Sequence, residues 1–103
     1  MQDTLWQAEF TAPLWVWSGE TAGAWHFLTL PRDLSARVRA MAGRDAAFGS
    51  VRVRAQIGAV AWSTSLFPST ERQAFLLPVK ADVRRKAGLR VGADCRVAIG
   101  LPG

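Results

Sequence analysis

A chain of 103 residues, half of them hydrophobic, has room for one compact domain with one core and is too short for two. A single cysteine, Cys95, excludes an internal disulfide and a cysteine-built zinc site, and a single histidine, His26, leaves few metal or acid–base constellations open. The formal net charge is +5, but residues 1–31 hold three acids and no Lys or Arg, whereas residues 32–103 hold all 13 basic residues and five acids.

That excess favours nucleic acid, an anionic ligand or an acidic protein partner through long-range attraction. Eleven of the basic residues are Arg in a chain rich in Ala and Gly, a composition that a GC-rich genome also produces. Cysteine usage suits a reducing cytoplasm. No stretch approaches the roughly 20 apolar residues of a membrane helix. The start, "MQDTLWQAEF", lacks the basic-then-apolar order of a signal peptide. The expectation is a single cytoplasmic domain over residues 1–103, with no membrane, metal or cofactor.

Residues 8–17, "AEFTAPLWVW", read as an aromatic-rich strand in which Pro13 demands a bulge or an edge. "SGETAGA" (18–24) is a loop. "WHFLTL" (25–30) is a second strand, with Trp25, Phe27 and Thr29 on one face and His26, Leu28 and Leu30 on the other. After Pro31, Leu34, Val38 and Met41 recur at helical spacing, with Asp33 as N-cap and Gly43 as stop; Arg37 and Arg39 fall outside that stripe.

"SVRVRAQI" (50–57) alternates, with Val51, Val53, Ala55 and Ile57 inward and Arg52, Arg54 and Gln56 outward. Gly58 marks a turn or a bulge, "AVAWSTSL" continues as another strand, and "FPSTERQ" (67–73) reads as a polar loop broken by Pro68. "AFLLPV" is a further strand. "ADVRRKAG" is a short helix with Asp82 in its first turn, Val83 and Ala87 as its thin buried face, and Gly88 at its left-handed end. "DCRVAIGL" closes the chain, with Cys95, Val97, Ile99 and Leu101 inward.

The segments "LTLPRDLSARVRA" and "FLLPVKADVRRKA" superpose at an offset of 47 residues, Pro31 on Pro78, Arg37 on Arg84 and Ala40 on Ala87. Beyond the helix the first copy is a few residues longer, and "GSVRV" falls near "GADCRV". Two strand–strand–helix–strand halves of this kind predict a mainly β fold: a small six-stranded split or closed β-barrel with two short helices and pseudo-two-fold symmetry. Closure would remove exposed edges.

No catalytic residue is identified. Cys95 reads as a small buried hydrophobe, and a Cys95–His26 pair would require their strands to be neighbours. Ser63, Thr64, Ser65, Ser69 and Thr70 read as loop hydroxyls that bond backbone. Neither a nucleophile elbow nor a phosphate-binding glycine loop is present. Most of the five tryptophans are expected in the core, because a small barrel needs bulk; the alternative is a stacking or docking surface.

The blocks "WHFLTLP", "TSLFPS" and "FLLPVKADVRRKAGLRVGADCRVAI" resemble those of a bacterial family catalogued as domain of unknown function nineteen-oh-five, over about residues 8–101. The resemblance implies a small split β-barrel, related in shape to AbrB/MazE-like barrels and fused in some members to a YdeI/OmpD-associated segment. It carries over no catalytic residues. Its motif positions fall on Trp25, Phe27, Pro31, Ser65, Pro68, Lys80, Arg84, Gly88 and Gly92, and Ala93 stands where the pattern has an Asp. The leading functional expectation is a non-catalytic binding or interaction module. One form binds a small anion or a protein through Trp25, Ser65, Lys80 and Arg84. The other binds nucleic acid through Arg37, Arg52, Arg54, Lys80, Arg84 and Arg85, where phosphate contacts would give salt-dependent affinity.

Overall fold

A computed structural model describes residues 4–19, 23–42 and 49–102. Among these, seven strands and two helices alternate in the order β1 (Thr4–Pro13), β2 (Trp15–Gly19), β3 (Gly23–Thr29), α1 (Arg32–Ala42), β4 (Val51–Ile57), β5 (Val60–Ser69), β6 (Ala74–Pro78), α2 (Ala81–Ala87) and β7 (Asp94–Pro102). The strands form one antiparallel sheet in the order β1-β7-β4-β5-β6-β3-β2.

The expected six-stranded split or closed barrel is therefore corrected to seven strands in a curled half-barrel. The aromatic run 8–17 is two strands, not one. Pro13 cannot donate to a ladder and ends β1, and Leu14 alone turns the chain into β2. β1 and β2 then occupy the two outer positions of the sheet and share no ladder among the described residues. Because one residue joins the two edges, the sheet has to curl back on itself at that corner. Leu14 is 1% exposed, and its amide and carbonyl bond Ala93 and Gly92 in the loop before β7, at 3.2 and 2.8 Å.

β5 also runs further than its sequence suggests. Its first part pairs with β4 from Val60 to Leu66; its last part, Phe67, Pro68 and Ser69, pairs with β6. Pro68 is tolerated inside this strand because the β4 ladder has already ended at Leu66, so no partner on that side needs its missing N–H. Only residues 70–73 form the turn, in which Gln73 takes a left-handed φ of 54°. Gly58 sits where expected, at φ 58° in the two-residue turn between Ile57 and Val60, a position glycine occupies without penalty.

The two halves are β2-β3-α1-β4 and β5-β6-α2-β7, with β1 as an added edge. In the β3–β6 ladder Thr29 faces Leu76, its own counterpart at the offset of 47 residues. In the β4–β7 ladder Ala55 faces Ile99, its counterpart at an offset of 44, as the longer first copy requires. A residue that faces its own equivalent across an antiparallel ladder marks a two-fold axis, so the repeat read from sequence is a symmetry of the fold.

Strand alternation fills the interior. The buried set includes Phe10, Leu14, Leu28, Val53, Ala55, Leu66, Phe75, Leu77, Val97 and Ile99. Cys95 is 4% exposed among them and packs as an apolar side chain; burial, reinforced by Asp94, pushes its thiol pKa up. α1 buries Leu34 and Val38, while Met41, expected on the same face, is exposed. Asp33 lies inside the first turn of α1 rather than capping it, since Ser35 donates its amide to the Pro31 carbonyl at 2.8 Å. Gly43, the expected stop, falls outside the described residues. α2 buries Val83 and ends on Gly88, whose φ of 67° lets its amide return to the carbonyls of Arg84 and Arg85.

Candidate functional site

β3, β4, β5 and the start of α2 meet around a concavity of about 570 Å³, within the range of small-molecule sites. Alternation along β4 sends Arg52 outward, because Val51 and Val53 are buried on either side of it. Register then sets Arg52 opposite Ser65 of β5, and its Nη1 donates to Ser65 Oγ at 3.4 Å. Lys80 enters the same concavity as the residue before α2, with an extended backbone and no side-chain capping bond. Arg84, one helical turn on, lines it too, and its Nη1 donates to the Val79 carbonyl at 2.7 Å. That bond ties the guanidinium to the chain just before its own helix.

Trp25 and Phe67 form an apolar wall, Ser63, Thr64 and Ser65 supply hydroxyls, and His26 also lines the cleft. His26 shares the inward face of β3 with Leu28 and Leu30, opposite Trp25 and Phe27, as the alternation predicted. Its Nδ1 is buried without a hydrogen-bond partner. Burial, and secondarily the Arg84 charge, hold its pKa below the ordinary value. None of the described residues lining this cleft is acidic.

The structure thus brings Trp25, Ser65, Lys80 and Arg84 together, and adds Arg52 from the nucleic-acid set. The other three arginines of that set are not among the cleft's described lining. Arg54 stands two residues along β4 and bonds Ser63 Oγ at 3.2 Å. Arg85 is exposed on α2, and Arg37 lies on α1, which packs against β6. The serines did not behave as the loop reading predicted. Ser63 and Ser65 are cross-strand acceptors for arginine, and of the hydroxyl cluster Ser69 serves the backbone, through the Arg72 amide at 3.2 Å. His26 and Cys95 lie on strands separated by β4, β5 and β6 in the sheet order.

A second concavity, of about 540 Å³, adjoins the first and shares Trp25 and Phe67 with it. It corrects the expectation that most tryptophans are core. Trp17 and Trp25 are each 48% exposed, Trp15 is half-buried, and Trp62 packs only at the core margin. Register places Trp15 opposite Phe27 and Trp17 opposite Trp25, so four rings gather on the outer face of the β2–β3 hairpin. The Trp25 and Phe27 rings lie nearly parallel at 6.2 Å, and the Arg72 guanidinium sits 3.7 Å over the Trp15 ring. The signal was present as aromatic residues two apart in successive strands. Which face they would take depends on how the sheet curls.

Fold and cleft define a small curled-sheet domain with two plugging helices and a cationic concavity on its surface. The chain belongs to the family described as Domain of unknown function (DUF1905), whose model matches residues 10–99, in line with the resemblance of its sequence blocks. No curated protein matches it.

Proposed function

We propose that this domain is a non-catalytic binding module that holds a small anionic ligand in the basic cleft. One observation carries the reading. Arg52 of β4 and, one helical turn apart at the start of α2, Lys80 and Arg84 line a single concavity with three hydroxyl residues and no described acid. Guanidinium and ammonium groups with adjacent hydroxyls are the donors that phosphate and carboxylate oxygens require.

Calorimetric titration with inorganic pyrophosphate tests it. Binding is expected at low salt and should weaken at physiological ionic strength, because the cleft is open and screened. Arg52→Ala and Lys80→Ala should each cost about tenfold in affinity, the equivalent of one charge-assisted bond at about 1.4 kcal/mol. Absence of binding at low salt, or equal binding by both variants and the parent, overturns the reading.

Nucleic-acid binding is the second reading, and Arg54 favours it, being exposed beside Arg52 on β4 but outside the cleft. Fluorescence anisotropy of labelled single- and double-stranded DNA and RNA separates the two. Loss of oligonucleotide binding in Arg54→Ala, with pyrophosphate binding intact, would favour the strand.

A further inference from the structure

We propose that the anion is a nucleotide, with its phosphates in the basic cleft and its base stacked on the aromatic face of the β2–β3 hairpin. This inference rests on the anion reading above and names the class of ligand. The two concavities share Trp25 and Phe67, so one ligand can pass from the first to the second without leaving the surface. On the aromatic side, Trp17 and Trp25 are each 48% exposed although large rings normally seek cover. A planar base laid on them would remove their faces from water and gain base–aromatic stacking.

The polar rim fits the same occupant. Ser69, Thr70 and Glu71 line the aromatic side, where hydroxyls and a carboxylate can meet the amino and ring N–H groups of a base edge. The aromatic side carries Glu71 and Arg72, one charge of each sign, whereas Arg52, Lys80 and Arg84 line a cleft with no described acid, so phosphate is drawn to the cleft end. A long acyl chain fits less well, because an open groove walled by flat rings leaves most of such a chain in water. An extended strand of nucleic acid fits less well too. It needs cations spaced along a track, whereas Arg52, Lys80 and Arg84 gather at one end and Arg72, on the aromatic side, is engaged over the Trp15 ring.

Calorimetry on the whole domain compares ATP and GTP with inorganic tripolyphosphate, decanoate and an oligothymidylate of eight nucleotides. The expected result is that at least one nucleotide binds about tenfold tighter than tripolyphosphate, the contribution of a stacked base. Trp17→Ala should erase that advantage and leave tripolyphosphate binding unchanged; Arg52→Ala should weaken both. Arg72→Ala, which removes only the cation over Trp15, serves as a second aromatic-side variant and should reduce nucleotide binding alone. Tripolyphosphate binding as tightly as either nucleotide overturns this inference and leaves the anion reading standing. No binding by any anion overturns both. Decanoate binding tighter than nucleotide, or affinity for the oligothymidylate far above that of a mononucleotide, overturns the inference in favour of an acyl anion or a strand.

Discussion

His26 joins the two chemical features of the cleft, a buried unpartnered nitrogen and a surround of cations. The cations that line the cleft with it are Arg84 on α2, Lys80 just before that helix and Arg52 on β4. Its folded-state pKa is lowered, so the unfolded chain takes up a proton at higher pH than the folded one. Stability should therefore fall as pH drops below about 6.5 and level off once pH passes the folded pKa. Thermal unfolding at intervals from pH 7.5 to 5 should show this decline in the parent and a flatter profile in His26→Asn. A bound anion offsets the neighbouring charges, so affinity for sulfate should rise over the same descent, and that rise should vanish in His26→Asn. An unchanged sulfate affinity would remove His26 from the site. Alternation along β3 made it legible that His26 lies on the face opposite Trp25 and Phe27; its inward direction and its orphaned nitrogen were not, because they depend on how the sheet curls and on what α2 and β6 bring across the interior.

Elements are held to one another by a few polar joints whose loss is predictable. Ser35 on α1 is 5% exposed, and its Oγ accepts the Phe75 amide of β6 at 3.0 Å. Ser35→Ala would leave that buried N–H without a partner and should cost about 1–3 kcal/mol in denaturant unfolding. Gly88 presents the opposite case. A side chain there would meet nothing within 4 Å, yet φ is 67°, so Gly88→Ala should cost about 1 kcal/mol through backbone strain alone. In a domain of this size that is a fall of roughly 4–8 °C in melting temperature. Gly88 was readable because a helix end has its own local grammar. Ser35 was not, because its partner lies 40 residues away.

At the scale of the molecule, one corner decides whether the sheet curls. β1 and β2 are its opposite edges and only Leu14 separates them. Leu14→Ala should cost about 2–5 kcal/mol by emptying a fully buried site. Val16→Ala, on the exposed part of β2, should change stability by less than about 0.5 kcal/mol. Comparable losses in the two would mean that the corner is not where the fold is pinned. Charge is also redistributed at this scale. Glu9 of the acidic N-terminal segment bonds Arg96 of β7 at 2.8 Å, an exposed pair that contributes little energy but removes Arg96 from the free basic surface.

Periodicity alone settled what depends on neighbours in the chain. The inward and outward faces of β4, the helix that Gly88 ends and the break at Gly58 follow from spacing and backbone preference within a dozen residues, and the internal repeat from two such local patterns matched 47 residues apart. The family's motif residues Trp25, Ser65, Lys80 and Arg84 could be named from the sequence, though not their arrangement. Only the tertiary structure decided that the run 8–17 splits at Leu14, that β5 leaves β4 for β6, and that the aromatic face of β3 turns outward. Those outcomes rest on strand pairing across tens of residues, where register and curl are set by the packing of the whole sheet. The cleft is a product of that packing: its cations come from β4, from the residue before α2 and from α2 itself, and β5 brings the hydroxyls to them.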